Sequence, residues 1–234
     1  MEDIILESAR LIATDDESNG IIERLRSEGV YGQEDKELLF MNIVLVSSAE
    51  GAAKLPEVLS NKSLAKRNII IKTNPSLNID NDVNYYSVLS FFDGADPYEE
   101  IKSLLCFIHT NEDTNRNIAF DEYEIFTLTK NRNMISTASY SYYENVDKAL
   151  NELKKIKLNN NHRYLLLFTY KHNIQGTGLD MLSVSNYLDM FPENATVCWN
   201  VQESSVKQVT LLTLHIPEHT RSEIRRRSQR LREA

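Results

Sequence analysis

Glycine is scarce in this chain: seven occur in 234 residues, and the closest pair is Gly176-Thr177-Gly178. A loop that closes backbone N–H groups around phosphates needs several glycines within a few residues. The sequence has no recognisable glycine-rich phosphate loop, so unaided nucleotide hydrolysis is not expected. The lone Gly-Thr-Gly lacks the third glycine of a dinucleotide turn and reads as turn geometry. Cysteine is scarcer still. Cys106 and Cys198 both lie in apolar runs (LLCFI and TVCWNV), where a thiol packs as a small hydrophobe, and a structural disulfide is not expected. HExxH, CxxC and GxSxG are all absent. The five histidines (His109, His162, His172, His215, His219) fall on different segments, and Pro217 forbids a common helix for His215 and His219. No metal site is expected.

Long apolar runs are also missing. None approaches the roughly 18 to 20 residues that span a bilayer, and no basic stretch followed by an apolar one opens the chain. A cytoplasmic protein with no integral membrane association is expected. The net charge of -8 argues against generic nucleic-acid binding, which needs a basic surface. The charge is uneven: six arginines fall between Arg221 and Arg232, while acidic residues dominate the first hundred positions.

What is present is enough for a core, since 41% of the residues are hydrophobic. Apolar side chains at helical spacing predict a helix over Ile4 to Ala13, and a second follows from Asn19 to Gly29. The continuous apolar runs Leu38 to Val46 and Ile69 to Ile71 read as strands of a parallel sheet buried on both faces. Gly51 to Lys66 between them reads as a helix, with Pro56 in its first turn or breaking it. A long helical pattern runs from Val83 to Ile108, interrupted by Gly94 and Pro97, where Pro97 starts or kinks the main helix.

Beyond the polar stretch His109 to Asn117 the pattern turns to strands: Tyr123 to Thr129, Met134 to Tyr143, Tyr164 to Tyr170, Ala195 to Val201 and Val206 to Ile216. Helices are expected at Val146 to Ile156 and Ser183 to Met190. The fold class is therefore α/β: a partial parallel sheet with helices and a long central helix, then an α+β domain with a mixed sheet. The expected divisions are 1–95, 96–116, 117–217 and a basic tail at 218–234. Tyr140 and Tyr142 would share one strand face, as core packing or as a partner contact.

This order of elements resembles the tubulin and FtsZ superfamily, and local stretches carry the likeness. Ile69 to Leu77 (IIIKTNPSL) resembles the family's strand and Ile-Pro-Asn-Asp-x-Leu-Leu turn, and Val88 to Asp96 (VLSFFDGAD) the start of its central helix. Asn117 to Glu122 (NIAFDE) resembles the synergy loop, Gly178 to Ser183 (GLDMLS) a later helix start, and Ala195 to Asn200 (ATVCWN) a late strand. The family's second glycine loop would fall on Ile12 to Gly20 (IATDDESNG), where Asp15, Asp16 and Glu17 would repel a triphosphate. The first loop is not expected ahead of that position, which lies near the start of the sequence.

The resemblance places Phe92 and Asp96 where the family holds the guanine base and sugar. Read from local pattern alone, Phe92 is core and Asp96 caps the helix that begins at Pro97. The synergy-loop acids map to Asn117, which is kept, and to Glu122 in place of the second aspartate, while Ala119 replaces the first. Glu122 could still orient a water, or the loop is a solvated acidic turn. In the tail, Ile224 and Leu231 lie on one helical face. Arg221, Arg225, Arg226, Arg227 and Arg230 then read as a frayed terminus or as a dock for an acidic partner.

The expected function is that of a non-catalytic FtsZ-like protein acting through protein contacts: joining or capping a filament of a cognate FtsZ, or assembling with itself. No cofactor is expected. The first alternative is a degenerate GTPase polymerising with GTP or GDP and Mg, and the second is an interaction module that shares only the architecture.

Overall fold

A computed structural model describes residues 9–30, 41–60, 67–79, 87–108, 125, 128–171, 179–204 and 206–216. Its centre is one eight-stranded sheet in the order β1-β2-β3-β4-β5-β8-β6-β7. The strands are β1 (Ala9–Ala13), β2 (Met41–Val46), β3 (Asn68–Lys72), β4 (Ser87–Phe91), β5 (Asn131–Ser141), β6 (Arg163–Tyr170), β7 (Thr196–Glu203) and β8 (Gln208–His215). Strands β1 to β5 pair parallel in sequence order; β8 then inserts antiparallel between β5 and β6, and β7 closes the far edge parallel to β6. The helices whose bounds are described are α1 (Asp16–Ser27), α2 (Ala49–Ser60), α3 (Pro97–Ile108), α4 (Asp147–Leu153) and α5 (Met181–Leu188). The α/β class expected from the element pattern is the one observed.

The apolar runs form the sheet because their side chains alternate between two covered faces. On the first face Ile43, Leu45, Ile69, Ile71, Leu89 and Phe91 meet Ile22 and Leu25 of α1 and Ile101, Leu104 and Leu105 of α3. On the second, Val44, Val46, Ile70 and Val88 meet Leu55 of α2. Tyr164, Leu166, Phe168, Val209 and Leu211 meet α4 and α5 further along. A polar clasp joins α1 to α3: Lys102 Nζ lies 2.9 Å from Glu28 Oε2, and the Arg24 guanidinium sits 3.5 Å above the Tyr98 ring.

Four sequence expectations are corrected. Ala9–Ala13 is a strand, because ARLIA is too short to separate the two periods and its pairing with β2 decides. The stretch expected as the start of a long central helix is strand β4 and a turn; pairing between β3 and β5 overrides its helical spacing, and Gly94, at φ 84°, takes the left-handed turn that separates it from α3. Ile125 and Leu128, placed on a strand, are helical. Pro56 stands inside α2 rather than in its first turn, on the exposed side, while Leu55 anchors the helix to the core.

Smaller expectations divide. Tyr140 and Tyr142 both pack in the α4 and α5 core, Tyr142 donating its hydroxyl to the Thr169 carbonyl at 2.9 Å. Cys198 packs against the first core, but Cys106 is exposed, and the two are not joined.

Ile71, wholly buried at the sheet centre, is expected to cost about 2–5 kcal/mol when replaced by alanine. Ile12, half-buried on edge strand β1, should cost less, and urea unfolding of the two variants measures the order.

Candidate functional site

Ligands of open α/β sheets gather outside the carboxyl ends of the strands, where adjacent connections leave towards opposite faces. Here α1 covers the first face and α2 the second, so the turns after β1 and β2 diverge and open a crevice between them. The N-termini of both helices border it, and each brings unpaired N–H groups with partial positive charge.

The crevice is filled by a side chain of the protein itself. Asp15, which caps α1, accepts the Ser18 N–H on Oδ1 at 2.9 Å. Its Oδ2 accepts the N–H groups of Ser47 at 3.0 Å and Ser48 at 2.9 Å, together with the Ser48 hydroxyl at 2.9 Å. Burial works against the charge, but hydrogen bonds from Ser18, Ser47 and Ser48 outweigh it and hold the carboxyl well below the usual carboxylate range. Ser48 Oγ also accepts the Gly51 N–H at 3.0 Å and so caps α2. Gly51 is required here, because a Cβ would overlap Asp15 Oδ2 and Thr14 Oγ1. Thr73, just after β3, continues the polar line with its hydroxyl 2.6 Å from Ser47 Oγ.

The connection after β4 carries the two residues that the resemblance assigns to base and sugar. Phe92 is 40% exposed, which corrects the expectation that it is core. Its ring meets His215 edge-on, with centroids 4.8 Å apart. Asp96 caps α3, its Oδ1 accepting the Tyr98 N–H at 3.0 Å. Its other oxygen has no such duty in the cap.

Beside Phe92 the fold assembles a group that sequence separation hid. His215 Nδ1 lies 3.2 Å from His162 Nε2, and His215 Nε2 lies 2.8 Å from Ser136 Oγ. The two histidines are 53 positions apart, at the end of β8 and the start of β6; antiparallel pairing of those strands brings them together. Burial and then the neighbouring His162 push the His215 imidazole down to about 4. Pairing of β8 with both β5 and β6 was the only signal that could have revealed the group. Asn117, Glu122, Arg221, Arg225, Arg226, Arg227 and Arg230 lie outside the described residues.

Replacing Asp15 with Asn should destabilise the protein by at least about 1 kcal/mol at neutral pH. Because the folded-state value is lowered, this contribution is present above the ordinary value of 3.8 and is lost as pH falls below it, so the melting curves of wild type and Asp15→Asn should converge in acid. Gly51→Ala should destabilise too, although alanine is the better helix former by about 1 kcal/mol. Denaturant titration reads the sign.

No family model matches the chain, and no curated protein matches its sequence. Solved structures do. CetZ from Methanosaeta thermophila is similar at 12% identity and a TM-score of 0.51, over 93% of this chain and 74% of that one. A GTPγS-form protofilament of TubZ from Bacillus thuringiensis serovar israelensis aligns at 10% identity and 0.47, over 94% and 74%. CetZ2 from Haloferax volcanii, a GTPγS-bound protofilament, aligns at 11% and 0.48, over 95% and 80%. The mixed sheet with helices on both faces is therefore a fold of the tubulin and FtsZ type.

Proposed function

We propose that this chain is a non-catalytic protein of the tubulin and FtsZ type that acts through protein contacts, joining or capping a filament of a related GTPase or assembling with itself. The observation that carries the proposal is the Asp15 carboxylate, which takes three backbone N–H groups and a hydroxyl in the crevice between the first two βα turns. A triphosphate entering there would meet a fixed negative charge and would have to displace hydrogen bonds already made. A subunit that keeps one filament face and forgoes nucleotide at the other adds to one end of a head-to-tail polymer, because such contacts are heterologous. The arginines of the tail, Arg221, Arg225, Arg226, Arg227 and Arg230, would meet an acidic partner surface.

A second reading is favoured by Phe92 alone: an aromatic ring 40% exposed beyond the carboxyl end of a parallel strand could stack a base. In that reading Asp96 would hold the sugar, Asn117 and Glu122 would orient the attacking water, and Mg would accompany GTP.

Calorimetry with GTP and GDP in the presence of Mg separates the two. The first reading expects no saturable binding by the wild type, together with altered light scattering or pelleting of the cognate polymer, or nucleotide-independent assembly of the chain. A protein that stays monomeric and leaves that polymer unchanged would sink it. Micromolar GTP binding that weakens on Phe92→Ala would establish the second.

A further inference from the structure

The His162 and His215 pair is not used by either functional reading. Two nitrogens bound to one tetrahedral metal at about 2.05 Å are separated by about 3.3 Å. His162 Nε2 and His215 Nδ1 stand 3.2 Å apart. Ligating histidines ordinarily give their second ring nitrogen to an oxygen that fixes tautomer and orientation. Ser136 Oγ stands in that position, 2.8 Å from His215 Nε2; with the proton on Nε2, the Nδ1 lone pair faces His162. Phe92, edge-on at 4.8 Å, packs against the second ring and restricts its rotation.

We propose that His162 and His215 chelate a divalent late transition metal of the zinc or copper class through Nε2 and Nδ1, with Ser136 as the positioning residue. Imidazole nitrogen suits these ions better than it suits Mg or Ca. Among the described residues no group of three or more histidine, cysteine or acidic side chains converges, so the pair supplies two ligands. Without metal the nitrogens share one proton as a hydrogen bond. With metal His162 takes the tautomer with its proton on Nδ1, which frees the Nε2 lone pair, and both rings tilt to turn their lone pairs onto the ion.

Zinc alone, titrated calorimetrically into the full chain at pH 7, is expected to bind one equivalent with a dissociation constant below about 1 mM. His162→Gln and His215→Gln should each weaken binding at least about tenfold, Ser136→Ala should weaken it by less, and His172→Gln should leave it unchanged. A wild-type measurement covers the case in which a variant does not fold: zinc should protect His162 and His215, but not His172, from diethylpyrocarbonate, read by mass spectrometry. No saturable zinc binding by the wild type, or binding that neither depends on nor protects the pair, would overturn the proposal.

Discussion

One carboxylate joins the first two turns of this sheet. Asp15 belongs to the β1–α1 turn, yet two of its three backbone donors, and the hydroxyl, belong to the β2–α2 turn. Asp15 caps α1 directly and holds Ser48, which in turn caps α2. The glycine at 51 follows from that contact, as does the capping role of Ser48. An internal anion is supplied by the chain itself, so the tie between the two turns forms without any ligand from solution.

The same constraint gives Asp15 a structural role that the local sequence does not show. In the string TDDESNG it is one of three consecutive acids, and it reads as a source of repulsion. The fold separates them: Asp15 turns inward as a cap and strap, whereas Asp16 and Glu17 occupy the first helical turn, where negative charge is favoured. Local order says that a cap is possible; it does not say that a second turn will arrive to share it.

Buried strands were legible where apolar residues run together, as in Ile43 to Val46 and Ile69 to Ile71, because those stretches of strand are covered on both faces. The failures share a physical cause. ARLIA and SVLSF are five residues each, too short for their spacing to separate a helix from a strand, and neighbours in the sheet decided the outcome. The exposure of Phe92 and the meeting of His162 with His215 belong to tertiary structure alone. They arise where β4 ends, β6 begins and β8 ends, three places that no sequence window joins. The fold class was thus readable, and the strongest local chemistry was not.

Among the described strands β8 is the last in the chain but not in space, since it lies between β5 and β6. The seven strands described before it are synthesised first. Until Gln208–His215 arrives, β5 and β6 each present an open row of amide and carbonyl groups, and the halves of the sheet have no common border. A chain lacking that segment would therefore display two unpaired edges at once, so docking of β8 is the step that joins the two halves of the sheet.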